Sequence, residues 1–239
     1  MEQYFEGRTA LVTGAGWGIG AAIAMSYAAH GAKVMVSDTN QEKGRDIVAR
    51  IKSKKGVAAF IKADVRKGPE CEKLIRRTIS TYGSIDIACN NTAIFSELQS
   101  PAGNGLQAFD DEMALDPSGL FYCINLEIEA MQKQGGGVII NMSSILGAAR
   151  LAPCDSYVAA KYGMAGQIHV APEEDANRGI RIHVIAPAFI NAAMLDGNKQ
   201  TQRNMPDPPF MGRTGKIGEA AGQVIWLSSY KAPFATGIY

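Results

Sequence analysis

Thr9-Ala10-Leu11-Val12-Thr13-Gly14-Ala15-Gly16-Trp17-Gly18-Ile19-Gly20 decides the fold: a short apolar and β-branched run passes through a glycine-rich turn directly into an Ala-rich helical segment. Glycines permit the tight turn and a close backbone approach, while the unpaired N–H groups and positive dipole end of a following helix attract a pyrophosphate. The same glycines would also serve merely to tighten a turn. Their position after a strand and before a helix favours the dinucleotide-binding reading, with Gly14, Trp17, Gly18, Ile19 and Gly20 lining it.

Working outward, apolar and β-branched runs recur at Thr9 to Thr13, Val34 to Ser37, Ala58 to Lys62, Ile85 to Cys89, Val138 to Met142 and Ile180 to Ile185. Segments of helical period separate them, at Ile19 to Ala29, Gln41 to Ser53, Pro69 to Tyr82, Glu112 to Lys133, Ser156 to Ala176 and Gly218 to Ser229. Such alternation predicts an α/β domain with a doubly wound parallel sheet and helices on both faces. Ser96 to Leu106 and Asn191 to Gly215 read as loops, and the stretch at about 188–217 is expected to cover a substrate. Residues 1–239 read as one domain, because no repeat or polar linker divides them.

Composition narrows the function classes. The 239 residues are 46% hydrophobic and 20% charged with a formal net charge of +1, which gives a nucleic-acid partner no electrostatic support. The acidic start Met1-Glu2-Gln3-Tyr4-Phe5-Glu6 lacks a basic region leading into an apolar one, and no apolar stretch is long enough for a membrane span. The expectation is a cytoplasmic protein. Cys71, Cys89, Cys123 and Cys154 are widely spaced, and His30, His169 and His183 are scattered, so neither a disulfide framework nor a metal site is indicated.

Asp38 follows the second strand, eighteen residues after Gly20, where a carboxylate can accept hydrogen bonds from adenosine ribose hydroxyls. A 2′-phosphate would meet like charge there, and neither Ala15 nor Thr39 is basic, so NAD is preferred over NADP. Further along, Tyr157 and Lys161 are four residues apart, on one helix face, with Ser144 thirteen residues upstream of the tyrosine. An ammonium beside a phenol favours the phenolate, bringing a group that ordinarily titrates near pH ~10 toward neutrality. A Tyr and a Lys at this spacing also commonly just cover a helix surface.

Taken together, Thr13 to Gly20, Asp64-Val65, Asn90-Asn91-Thr92-Ala93, Ser144 and Tyr157 to Lys161 resemble the short-chain dehydrogenase/reductases over nearly the whole chain. The resemblance implies a seven-stranded Rossmann domain, commonly a homotetramer or homodimer, acting on a small-molecule alcohol or ketone. It makes Tyr157 the general acid/base and a cofactor contact, Lys161 the residue that lowers its pKa and holds the nicotinamide ribose, and Ser144 the partner of the reacting oxygen. Asp64 would lie by the adenine, Asn90 by the adenosine ribose and Ile190 by the nicotinamide amide, with Val65 and Pro187 also touching the cofactor.

Several positions depart from the family pattern. Asp116 stands where an Asn usually anchors a water leading to the lysine, and a carboxylate there partly cancels the charge that Lys161 offers Tyr157. Pro117 removes a backbone donor inside a predicted helix, and Pro172 does so in the helix that starts near Tyr157. Thr92-Ala93 replaces Ala-Gly, Pro187-Ala188 replaces Pro-Gly, and Ala192-Ala193 lacks a hydroxyl often offered to the cofactor. The sequence ends at Thr236-Gly237-Ile238-Tyr239, where relatives continue through a last strand. The leading expectation is an NAD-dependent oxidoreductase interconverting a secondary alcohol and a ketone. The alternative is a dinucleotide-binding relative with weak or no catalysis. A methyltransferase on a similar sheet explains neither Ser144 nor the Tyr157/Lys161 pair.

Overall fold

The computed structural model describes residues 2–91, 106–145, 158–166, 175–188, 190–191 and 213–237. In chain order they form β1 (Thr9–Val12), α1 (Gly18–Ala29), β2 (Lys33–Asp38), α2 (Gln41–Ser53), β3 (Val57–Lys62), α3 (Gly68–Tyr82), β4 (Ile87–Asn90), α4 (Leu106–Met113), α5 (Leu120–Gln134) and β5 (Gly137–Met142). A helix α6 over 158–166, β6 (Ile180–Ile185), β7 (Ile190–Asn191), β8 (Gly215–Lys216) and α7 (Ile217–Ser228) follow.

Period-two alternation sorts the strand side chains into two apolar layers. Ala10 and Val12 of β1, Val34 and Val36 of β2, and Val138 and Ile140 of β5 pack with Ile23 and Tyr27 of α1 and Val224 and Ile225 of α7. Their neighbours Leu11, Met35 and Ile139 point the other way, against Leu74 of α3, Leu120, Ile124 and Met131 of α5, and Met164 of α6. Both faces are therefore buried, as a parallel sheet requires, and the strand order is β3-β2-β1-β4-β5-β6. The order reverses between β1 and β4, which opens a crevice at their carboxyl ends where ligands bind in open α/β sheets.

Local chemistry explains where the helices start and stop. The Asn40 side chain accepts the Lys43 N–H at 3.0 Å and caps α2, Pro69 opens α3, and Gly83, at φ 96°, ends it in a left-handed turn. The six predicted strands and the helix over Gln41–Ser53 are all present. The single helix expected over Glu112 to Lys133 is not: it starts at Leu106 and is split by a π-helical turn, Ala114–Gly119. Pro117 causes the break, because it cannot donate to the Met113 carbonyl one turn back; the Ser118 hydroxyl donates to that oxygen instead, at 3.1 Å. Of the helix expected over Ser156 to Ala176, 158–166 is described, and Ala176–Arg178 is a 3-10 turn. Pro172 lies outside the described residues.

Described residues on either side of the stretch read as a loop pair with each other. Ile190 pairs with Gly215 and Asn191 with Lys216, a two-residue parallel ladder too short for any sequence period to reveal. Six strands make up the main sheet among the described residues, against the seven that the resemblance implies. Beyond β6, the Gly237 N–H donates to the Ile182 carbonyl at 2.8 Å and the Ile182 N–H to the Thr236 hydroxyl at 3.1 Å, so the chain is paired along that edge. Arg181 holds the same segment, donating to the carbonyls of Leu227 at 2.7 Å and Ala232 at 3.1 Å.

Candidate active site

The glycine turn sits in the crevice between β1 and β4. Gly14 and Gly18 both have φ near 58°, a left-handed conformation that favours glycine. A Cβ on Gly20 would collide with the Gly14 carbonyl and the Asn91 side chain, so only glycine lets α1 start this close to the turn. Asn91 ties the crevice together: its side-chain amide donates to the Gly14 carbonyl at 3.1 Å, and its backbone N–H donates to the Thr13 hydroxyl at 3.2 Å. The sequence shows the paired asparagines, and the family resemblance assigns a role to Asn90 alone. Trp17 is the N-cap of α1 and its side chain makes no capping hydrogen bond, Gly18 and Ile19 open the first turn, and among the described residues nothing lies within 4 Å of where a Cβ on Gly18 would stand. These features fit an anionic group seated on the helix N-terminus.

Asp38 ends β2 beside this turn. Its carboxylate accepts the Gly16 N–H at 2.8 Å with one oxygen and the Asn40 N–H at 2.8 Å with the other. Asp38 therefore shapes the turn as well as presenting negative charge there. Lys43, which no sequence motif singles out, packs against the same turn with its ammonium 5.6 Å from the centre of the Trp17 ring.

Asp64 and Val65 follow β3. The Asp64 carboxylate is held by Arg66, whose Nε and Nη2 donate at 2.9 and 2.7 Å, and this hydrogen bonding lowers its pKa. Asn90 lies at the end of β4, but both hydrogens of its amide point inward, to Glu127 of α5 at 2.9 Å and Asn141 of β5 at 3.0 Å. Glu127 is fully buried, and burial raises its pKa from 4.5 to about 7. The sequence predicts a helix here, and nothing in it shows that a carboxylate faces the sheet.

At the end of β5, the Ser143 N–H donates to the Ile185 carbonyl at 2.8 Å and the Ile145 N–H to the Pro187 carbonyl at 3.0 Å. Between these two bonds Ser144 stands at the carboxyl edge of the sheet, half-buried, with Pro187 at its side. Ile190 follows at the start of β7.

Lys161 and Asp116 form the centre of the remaining group. The Lys161 ammonium lies 3.0 Å from an Asp116 oxygen, with the two side chains 1% and 2% exposed, and 3.4 Å from the Met164 sulfur. The π-helical turn supplies the geometry: Pro117 rests against Gly163 of α6, where a Cβ would already touch the proline ring at 3.4 Å. Burial pushes the Asp116 carboxyl above its ordinary range; Lys161 opposes that, and Glu112 adds to it. The structure thus places the Asp116 carboxyl and the Lys161 ammonium in direct contact. Thr13, Val65, Asn90, Asp116 and Met164 are among the residues lining a cavity of about 10 Å³ beside the pair, the room of one water. Tyr157 lies outside the described residues, as do Thr92, Ala93, Ala192 and Ala193. Lys161, Asp116, Ser144 and the glycine turn all lie at the carboxyl ends of β1, β4 and β5.

The model of the short chain dehydrogenase family matches residues 8–203. The chain is 32% identical over 237 residues to a cyclohexanol dehydrogenase of Acinetobacter sp., covering 99% of this chain and 94% of the relative. It is 36% identical to a 3-oxoacyl-(acyl-carrier-protein) reductase FabG of Staphylococcus epidermidis, over 96% of this chain and 95% of the relative. Among solved structures, a 7α-hydroxysteroid dehydrogenase complexed with NADH and 7-oxo glycochenodeoxycholic acid superposes with a TM-score of 0.92 at 27% identity, covering 99% of this chain and 93% of that one. With the family model matched over most of the chain and relatives above 30% identity along nearly its whole length, the protein belongs to the short-chain dehydrogenase family and is an oxidoreductase of that family.

Proposed function

We propose that the protein is an NAD-dependent oxidoreductase interconverting a secondary alcohol and a ketone, with Tyr157 as general acid/base. The observation that carries this reading is the buried Lys161, held at the carboxyl edge of the sheet on the same side as Ser144 and the glycine turn. A bound nicotinamide would supply the hydride acceptor or donor. Gly14, Trp17, Gly18, Ile19 and Gly20 seat the pyrophosphate, and Asp38 receives the adenosine ribose. Tyr157, four residues before Lys161 in the sequence, takes the alcohol proton during oxidation and returns it during reduction, while the Ser144 hydroxyl donates to the reacting oxygen. Asp116 holds the Lys161 ammonium in place and tempers its pull on the phenol.

Asp38 supports NAD over NADP by like-charge exclusion of a 2′-phosphate, with Lys43 as the cation that works against it. Self-association into a dimer or tetramer is supported by Phe121 and Tyr122 of α5 and Tyr162 of α6, which are 54%, 41% and 50% exposed. The Lys161–Asp116 pair also favours a second reading, a dinucleotide-binding relative with little turnover. Purified protein offered NAD or NADP with a panel of cyclic, steroidal and linear secondary alcohols separates the two. Reduced cofactor should form with NAD on at least one alcohol; binding without turnover across the panel supports the second reading.

A further inference from the structure

Outside the dinucleotide crevice, two thiols meet that the sequence separates by more than fifty residues. Cys71, in the first turn of α3, and Cys123, in the first turn of α5, place their sulfurs 3.9 Å apart. Both side chains are buried, 1% and 3% exposed, in a small apolar cluster with Val65 and Leu115. The thiols form a chain: Cys123 donates to the Cys71 sulfur, and Cys71 donates to the Val65 carbonyl at 3.2 Å. We propose that Cys71 and Cys123 are a redox-sensitive pair that hydrogen peroxide closes to a disulfide, and that closure weakens dinucleotide binding through Val65.

The contact distance leaves about 2 Å of approach before the sulfurs reach bonding separation, an adjustment shared by two helix N-terminal turns. The hydrogen bond from Cys123 lowers the Cys71 thiol's pKa and the same bond, with burial, raises that of Cys123, so Cys71 is the nucleophile of the pair. Cys71 sulfur attacks one peroxide oxygen; the S–O bond forms as the O–O bond breaks, and the departing oxygen leaves as water with the Cys71 proton. Cys123 then attacks the sulfenic sulfur; the S–S bond forms, the S–O bond breaks, and a second water leaves with the Cys123 proton. Two thiols lose two electrons in total and the peroxide gains them. Once no thiol hydrogen remains on Cys71, the Val65 carbonyl loses its donor. That carbonyl is the surface against which Gly119 packs, with a would-be Cβ at 3.1 Å, so the change sits between the Asp64-Val65 segment and the π-helical turn carrying Asp116.

The effect on cofactor rests on the proposed dinucleotide site; the disulfide does not. Treating the whole protein with hydrogen peroxide, then mapping peptides and counting thiols, should give a Cys71–Cys123 linked peptide and a mass loss of about 2 Da that dithiothreitol reverses. Cys71→Ser and Cys123→Ser should each prevent it. An oxidised Cys71 that stays unlinked, or no reaction at concentrations that oxidise free thiols, would overturn the pair. Binding of NADH, followed by its fluorescence, should weaken by about fivefold or more in the oxidised protein. Linked peptide with unchanged NADH affinity overturns the coupling to Val65, and reduced protein that does not bind NADH at all refutes the dinucleotide site instead.

Discussion

Replacing Glu127 by Gln isolates the cost of the buried carboxylate behind Asn90. In the fold the carboxyl is enclosed between α5 and the sheet, accepts one hydrogen bond from Asn90, and titrates at about 7 where an exposed one titrates at 4.5. The folded state therefore holds this proton more tightly than the unfolded chain does. Its stabilising contribution is complete below pH 4.5 and is lost as pH rises through about 7. At about 1.4 kcal/mol for each tenfold change in proton affinity, the loss amounts to about 3 kcal/mol. The amide introduced by Glu127→Gln stays neutral and keeps an oxygen for Asn90, so the variant escapes the loss, whatever constant offset the amide adds. Urea denaturation of parent and variant from about pH 4.5 to about pH 8.5 should show the difference shifting by about 3 kcal/mol in favour of the variant, equivalent to roughly 6–12 °C in Tm. A difference that is flat across this range would refute the reasoning.

Asp116→Asn removes the charge opposing Lys161, so the pH at which alcohol oxidation reaches half its maximal rate should fall by about one unit; an unchanged profile would show that Asp116 does not act on Tyr157. Gly20→Ala places a methyl group against the Gly14 carbonyl and Asn91, and should cost about 1–3 kcal/mol of stability together with most of the dinucleotide affinity; calorimetric titration with NADH would detect retained binding. Asp38→Asn keeps one acceptor for the turn but loses the charge, and the preference for NAD over NADP should drop by about tenfold or more, measured as a ratio of kcat/KM values.

The strands were legible because each is a short apolar run bounded by turn residues, and their alternation with helical segments left a doubly wound sheet as the simplest architecture. The glycine turn was legible for the same reason that it works, since the backbone conformation at Gly14 and Gly18 favours one residue type. What the sequence could not display was facing. Glu127 reads as one more polar residue on an amphipathic helix until α5 is docked, and Cys71 and Cys123 read as unrelated thiols until α3 and α5 lie side by side. Pro117 announced a disturbance, yet the form it took depended on Ser118 reaching the Met113 carbonyl. Asp116 was legible as an anomaly, and docking of α6 by Gly163 against Pro117 turned that anomaly into a buried ion pair.

The most direct test of the catalytic assignment compares the parent with Tyr157→Phe, measuring NADH binding and oxidation of a secondary alcohol on the same preparations. The account predicts retained NADH binding and a fall in turnover of at least about a hundredfold, because the group removed is the hydroxyl that carries the proton. Turnover that survives the loss of that hydroxyl would contradict it.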